Sequence, residues 1–146
     1  MNAFRLEPSG AVLKDAANFS PFQFGSVEDV RFANAGSNLA SAVFGCVSTC
    51  GQLAVVDPRS TQKQQPIQLS KADLNVMDFD YEDENLVYCG DDLGQVFAVD
   101  LRSTAQPLTV LHYNQASITS LKACPSSGGT VAVSDDNGAV VIYQMD

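Results

Sequence analysis

Apolar and polar residues alternate over short stretches of the chain, and these stretches recur three times in the same order. The pattern apolar-x-x-apolar-x-Phe occurs in VEDVRF (27–32) and LNVMDF (74–79), and a third opening, ITSLKA (118–123), has Ala in place of Phe. Short alternating runs bounded by turn residues predict β-strands, and no helical period of useful length interrupts them. The chain is therefore predicted to be all-β.

A second recurring stretch follows each opening and gives the length of the repeat. It reads GQLAVVDPRS at 51–60, GQVFAVDLRS at 94–103 and GAVVIYQ at 138–144. The first glycines of these stretches are 43 and 44 residues apart, and the openings are 47 and 44 residues apart. Self-similarity at a constant period indicates a repeat architecture. The longer first interval fits an insertion around ANAGSNL or in the linker RSTQKQQP.

Each repeat contains several strand signals separated by turns. In the second repeat the strands are LNVMDFD, LVYCG, QVFAVD and PLTVLH, and the alternating apolar residues of the third should face neighbouring repeats. The last repeat stops after its third strand. The predicted organisation is an N-terminal arm at 1–25, containing FRLE and AVLK, and repeats at 26–72, 73–116 and 117–146.

Four short strands in a repeat of about 44 residues are typical of a propeller blade. Over residues 26–146 the chain resembles the WD-repeat β-propeller family, whose third strands end in Trp-Asp. Here the endings are VD (56–57), VD (99–100) and YQ (143–144), and His112 is the only candidate for the family's Gly-His pair. The resemblance implies an all-β, partial β-propeller of about three four-stranded antiparallel blades. The family's buried network of His, Asp, Ser or Thr, and Trp cannot form intact, so apolar packing between blades should matter more.

The number of repeats raises a question of closure, because a closed propeller needs about four to eight blades. Three explanations stay open: the chain is part of a longer propeller, copies of it associate into a larger ring, or another protein supplies the remaining blades. A chain that stands as an open three-blade array is a further alternative. The segment NAFRLE could complete the last blade only in a closed ring.

The charge of the chain narrows the classes of partner. It has 8 Lys and Arg against 17 Asp and Glu, a net charge of −9. This balance disfavours direct binding of nucleic acid, which depends on neutralising phosphates, and suits a basic protein partner or solubility alone. No apolar run is long enough for a membrane span, and the N-terminus lacks the apolar core of a signal peptide. A nuclear or cytoplasmic protein is therefore expected, with its 4 cysteines as free thiols.

Two pairs of aspartates recur one period apart, between the second and third strands. Asp91 and Asp92 align with Asp135 and Asp136. One interpretation is local, because Asp caps its own turn and tolerates unusual backbone angles. The other is a repeated acidic rim that binds a basic peptide. A further acidic run at 78–84 belongs to the opposite rim and is predicted to be a solvated loop; calcium binding is not supported, since no ligand-rich loop accompanies the aspartates.

Two arginines, Arg59 and Arg102, follow the Asp that ends a third strand, as D-x-R-S. Among proteins of the resembled family, a similar W-D-x-R box contacts the adaptor of cullin-type ubiquitin ligases, and histone-binding members carry D-x-R-S. The resemblance implies a partner contact through these arginines. The local alternative is that each guanidinium pairs with a neighbouring Asp and covers the blade edge.

Other chemistry finds little support in the sequence. Cys46 and Cys89 are 43 residues apart, and Val133 takes the same place in the third repeat, so this is predicted to be a small buried apolar position. A zinc site would need more than the 1 His present. No phosphate-binding loop, nucleophile motif or paired carboxylates in an apolar setting occur, so neither a cofactor nor an enzyme is predicted.

The resemblance therefore implies a non-enzymatic scaffold for protein–protein interaction. Within the family, SVED (26–29) and the VDLRS ending are most similar to the histone-chaperone and glutamate-rich ribosome-biogenesis branch, whose clients are basic. The alternative binding function is that of a substrate receptor of a cullin-type ubiquitin ligase. The alternative of another class is a propeller hydrolase.

Overall fold

The computed structural model describes residues 19–33, 43–57, 59–60, 65–103, 106–112 and 115–145. The secondary structure of these residues consists of strands joined by turns, without helix. The strands are β1 (Val27–Phe32), β2 (Phe44–Ser48), β3 (Gln52–Val56), β4 (Ile67–Gln68), β5 (Leu74–Phe79), β6 (Leu86–Asp91), β7 (Gln95–Asp100), β8 (Thr109–His112), β9 (Ile118–Ala123), β10 (Thr130–Asp135) and β11 (Val140–Gln144). The predicted signals FRLE, AVLK and NAFRLE lie outside the described residues.

The strands form three antiparallel sheets, one for each predicted repeat. The first has the order β1-β2-β3-β4, the second β5-β6-β7-β8 and the third β9-β10-β11. Strands that follow one another in sequence pair with one another, as short turns between antiparallel strands require. The sheets stand in an open row, so the prediction of an all-β fold with three blade-like sheets is confirmed. Among the described residues the third sheet has three strands, as expected.

The period of the sequence is reproduced in the backbone. The inner strands β1, β5 and β9 begin at the three predicted openings, and each is bulged near its first residue. Such bulges bend a strand and increase its twist. A glycine with positive φ precedes the third strand of every sheet, where a residue with a side chain would be strained. These glycines are Gly51, Gly94 and Gly138, with φ of 70°, 78° and 84°.

The core lies between the sheets, and the second sheet contributes to both of its halves. Phe97 and Val99 of β7 belong to a cluster with residues of the first sheet, whereas Val96 and Ala98 belong to a cluster with residues of the third. The prediction that alternate residues of this strand face neighbouring repeats is therefore confirmed. Burying apolar side chains on both faces makes the second sheet the centre of the row.

The position shared by two cysteines is buried, as the repeat register predicts. Cys46, Cys89 and Val133 are each at most 1% exposed. Burial raises the pKa of the Cys46 thiol to about 11 and raises the pKa of Cys89 further. Both cysteines therefore act as small apolar residues at neutral pH.

Candidate functional site

One rim of the row collects the turns between second and third strands and the segments that precede the inner strands. We call it the upper rim, and it comprises residue 26 and residues 48–52, 69–73, 91–95, 115–117 and 135–139. The same backbone hydrogen bond joins turn and segment in every sheet. The donor and acceptor pairs are Thr49 N to Ser26 O at 3.1 Å, Asp92 N to Asp73 O at 3.0 Å, and Asp136 N to Ser117 O at 3.0 Å.

The first residue of each upper-rim turn caps that turn with its side chain. Asp91 Oδ1 accepts the backbone N–H groups two and four residues later at 3.0 and 2.8 Å, and Asp135 Oδ1 does the same at 3.1 and 2.9 Å. Ser48 Oγ makes the weaker equivalent contacts at 3.3 and 3.4 Å. Asp91 is 0% and Asp135 4% exposed. These two carboxylates are thus committed to turn geometry, as the local interpretation requires.

Asp91 also connects the first two repeats. Its Oδ2 accepts a hydrogen bond of 2.7 Å from the hydroxyl of Ser70, which is itself buried in the segment before β5. Ser70 Oγ in turn accepts the N–H of Ala72 at 3.0 Å. A buried carboxylate is stable only when donors surround it, and here the turn and the linker supply them. This bond therefore joins the segment before the second sheet to the turn within that sheet.

The second residue of the same turns remains at the surface. Asp92 and Asp136 are exposed, and Ser117 lies between them. The Ser117 hydroxyl donates to Asp92 Oδ1 at 2.7 Å, while its carbonyl accepts the Asp136 N–H at 3.0 Å. Asn75 Nδ2 also donates to Asp92 at 2.6 Å. The hydrogen bonds from Asn75 and Ser117 hold the pKa of Asp92 below its ordinary value, so its charge persists into mildly acidic solution.

The opposite rim contains a second buried carboxylate, which connects the second and third sheets. Asp80 is 2% exposed, and its Oδ2 accepts hydrogen bonds of 2.9 Å from both Tyr88 Oη and Gly129 N. Oδ1 accepts the N–H groups of Glu82 and Asp83 at 2.8 and 3.0 Å. Burial opposes the charge of Asp80, but these donors outweigh it, and its pKa is lowered.

Asp78 makes another link to the third sheet. It is 4% exposed, and its Oδ2 accepts the N–H of Ala123 at 3.1 Å and lies 3.6 Å from Lys122 Nζ. The prediction of a solvated loop at residues 78–84 is therefore wrong for Asp78 and Asp80. The reason is that the third sheet approaches them from outside the local sequence. Glu82 and Glu84 of the same run are exposed, as predicted.

The two arginines of the D-x-R-S segments have matching geometry. Arg59 donates from Nε and Nη2 to the two carboxylate oxygens of Asp57 at 2.9 and 2.8 Å, and Arg102 donates likewise to Asp100 at 2.8 Å for both bonds. Arg102 also pairs with Asp83 at 3.0 Å. The hydrogen bond from each arginine lowers the pKa of its aspartate. Both guanidinium groups are therefore hydrogen-bonded to an aspartate of their own turn. A contact of Arg59 or Arg102 with an adaptor protein stays a prediction.

The described residues hold no cluster of three or more His, Cys, Asp or Glu side chains arranged to bind a metal ion. Cys50 is exposed, and Cys124 is partly exposed with its Sγ 3.5 Å from Ser126 Oγ. Hydrogen bonding to Ser126 lowers the pKa of Cys124. His112 belongs to β8, but its side chain lies outside the described residues, so its predicted place in the family's network is not tested.

Comparison with known proteins adds no family assignment. No protein-family model matches the chain, and a search of curated proteins finds no significant match. The part of the chain that the structure describes has no helix long and apolar enough to cross a membrane.

Sequence reasoning missed the partners of the buried carboxylates. Ser70 lies four residues before the start of β5, and Tyr88 lies in the middle of β6, where it reads as one more apolar strand residue. The sequence did contain a signal for Ser70, because it is the one hydroxyl residue in the segment 69–73 that precedes the second repeat. No comparable signal marks Tyr88, since its partner Asp80 is a turn residue whose burial depends on the neighbouring sheet.

Proposed function

We propose that the chain is a non-enzymatic protein–protein interaction scaffold whose upper rim binds a basic segment of another protein. The observation that supports this is the arrangement of Asp92 and Asp136 around Ser117. Two successive repeats place an exposed aspartate at the same point of the same rim, beside a buried aspartate that fixes the turn. Asn75 and Ser117 hold the Asp92 carboxylate in place, and the bond from Asp136 N to the Ser117 carbonyl fixes the backbone that carries the second carboxylate, which reduces the entropy cost of binding.

The chemistry of the partner follows from the charge of this rim. Lysine and arginine side chains pair with carboxylates, and a net charge of −9 attracts cationic segments over a distance set by the ionic strength. Clients of this kind include histone tails and basic segments of ribosomal proteins, encountered in the nucleus or the cytoplasm. The buried carboxylates of Asp91 and Asp135, which are part of the predicted acidic rim, support the turns rather than touch the client.

The test replaces both exposed carboxylates, as D92N with D136N, and titrates the chain with a Lys- and Arg-rich peptide at several salt concentrations. Each exposed ion pair contributes a few tenths to about 1 kcal/mol, so the loss of two pairs should weaken binding roughly three- to thirtyfold. The difference should shrink as salt screens the charges.

The control is E82Q with E84Q, which makes the same change of charge at exposed positions on the opposite rim. The control should bind nearly as well as the natural sequence. Unaltered affinity of the upper-rim variant, or an equal loss in the control, would contradict the proposal, because net charge alone would then explain binding.

A further inference from the structure

The turn between β10 and β11 contains an asparagine followed by a glycine, Asn137 and Gly138, which is the one such pair in the chain. Both residues are exposed. A Cβ added at Gly138 would meet nothing within 4 Å, so the space around the glycine is open to solvent as well. The pair belongs to the upper rim and directly follows Asp136, one of the two exposed aspartates of that rim.

An asparagine side chain can react with the backbone that follows it. The amide nitrogen of the next residue attacks Cγ of the asparagine, a bond forms between these two atoms, and the bond between Cγ and Nδ2 breaks. The amino group leaves as ammonia with the proton of the attacking amide, and a succinimide ring remains. Water then opens this ring at either carbonyl and gives aspartate or isoaspartate. Glycine at the next position favours the attack, because it has no side chain in the way and its backbone adopts conformations closed to other residues.

The other asparagines that the structure describes lack these features. Asn75 donates from Nδ2 to Asp92 at 2.6 Å, and Asn85 donates from Nδ2 to Asp83 at 3.3 Å. Each is followed by a residue with a branched apolar side chain, valine or leucine, which hinders the attack. The side-chain amide of Asn137 has no hydrogen-bond partner among the described residues. Asn137 is therefore the described asparagine whose side chain and neighbour are both free to react.

The turn does not need this asparagine for its shape. The corresponding residue before the positive-φ glycine is Cys50 in the first sheet and Leu93 in the second. None of these three residues has positive φ itself, so the backbone conformation is one that any side chain tolerates. Replacement of Asn137 by Leu or Asp should therefore preserve the turn and remove the reactive amide.

The hydrogen bonds of the turn slow the reaction without preventing it. Gly138 N donates to the Asp135 carbonyl at 3.2 Å, and Asp135 Oδ1 accepts the N–H groups of Asn137 and Ala139 at 3.1 and 2.9 Å. The Gly138 nitrogen must leave the Asp135 carbonyl before it can attack. Local opening of an exposed turn costs far less than global unfolding. The loss of one such bond predicts a reaction roughly two- to tenfold slower than in the unfolded chain.

We infer that Asn137 is a deamidation site, at which the neutral amide becomes a carboxylate beside Asp136 and adds a negative charge to the upper rim. The modification goes beyond the proposed function and does not depend on it. Its effect on a partner rests on the proposed function: where the upper rim binds a basic segment, the added carboxylate strengthens that binding as the protein ages.

The experiment incubates the folded chain at neutral pH and follows each described asparagine by peptide mass spectrometry of timed samples. Asn137 should lose its amide before Asn75 and Asn85, in the folded chain as well as in urea. G138A should slow the loss severalfold, because its side chain hinders the attack. Retention of the Asn137 amide in the folded chain for as long as the amides of Asn75 and Asn85, or an equal rate in G138A, would overturn the inference.

Titration of N137D with the Lys- and Arg-rich peptide measures the consequence for the upper rim. One more exposed carboxylate should strengthen binding roughly 1.5- to fivefold at low salt. N137L, which adds no charge, should bind like the natural sequence. Unchanged binding by N137D, when D92N with D136N weakens it, would refute the effect on the rim. Normal binding by D92N with D136N would instead contradict the proposed function, and the loss of the Asn137 amide would still be decided by mass spectrometry.

Discussion

Replacing Tyr88 with Phe tests how much the hydrogen bond between Tyr88 and the buried carboxylate of Asp80 stabilises the fold. The substitution removes one hydroxyl and leaves the ring, which is 1% exposed, in its packing. Asp80 then keeps its three backbone donors and loses the one side-chain donor at 2.9 Å. A hydrogen bond to a charged group contributes about 1.5–3 kcal/mol, and the loss should fall near the lower end because the remaining donors still solvate the carboxylate.

Urea unfolding monitored by circular dichroism measures the change in the free energy of unfolding. Y81F is the matched control, because Tyr81 is 40% exposed and adjacent to Asp80 in sequence. It should change stability by less than about 0.5 kcal/mol. The double variant Y88F with D80N separates the effect of the hydrogen bond from that of packing. If both substitutions remove the same hydrogen bond, the double variant should lose less stability than the sum of the losses in Y88F and D80N. Equal urea midpoints for Y88F and Y81F would refute the role of the hydroxyl.

The same bond has a consequence for pH. The folded-state pKa of Asp80 is lowered, so its contribution to stability is present above the ordinary carboxyl pKa and is lost as the pH falls through the folded-state pKa. Y88F removes one cause of that lowering. The stability of Y88F should therefore fall less in acid and level off at a higher pH than that of the natural sequence, so the difference between the two proteins should shrink as the pH falls. Parallel stability curves from neutral to acidic pH would mean that the hydroxyl does not influence the charge of Asp80.

Two further predictions concern the turns and the thiols. G51A should lose far more stability than G138A in thermal unfolding. Both glycines have positive φ, but an added Cβ at Gly51 would collide with the Ser70 carbonyl, whereas Gly138 has open space around it. Equal losses of stability in the two variants would contradict this prediction. Iodoacetamide at neutral pH should label the exposed Cys50 well before Cys89, because burial raises the pKa of the Cys89 thiol. Mass spectrometry of timed samples measures the order of labelling. Labelling of Cys89 before Cys50 would contradict the burial of Cys89.

The fold could be predicted from the sequence because the repeat period is a local property. The openings at Val27, Leu74 and Ile118 coincide with the starts of inner strands, since alternation of apolar residues dictates which side of a strand faces a neighbour. The turn glycines were equally visible, because only glycine adopts their backbone conformation at low cost. Strand starts and turns thus followed from short stretches of sequence.

The sites could be predicted only in part, because burial depends on residues far apart in the chain. Asp91 and Asp92 are adjacent and chemically identical, yet one is fully buried and the other exposed. What separates them is the position of Ser70, 21 residues earlier, which bonds to Asp91. The same applies to Asp80, whose donor Gly129 belongs to the third repeat. A pattern within one turn cannot reveal a contact made by the next sheet.

The burial of these carboxylates changes what the acidic composition can support. Asp78, Asp80, Asp91 and Asp135 are all nearly inaccessible, and each accepts backbone or side-chain donors that the fold supplies. Their charges are compensated locally and cannot recognise a partner without unfolding a turn or separating two sheets. The net charge of −9 therefore overstates the charge available at any one surface. The case for a basic client depends on Asp92 and Asp136, which is why its test changes those two residues and leaves the buried aspartates intact.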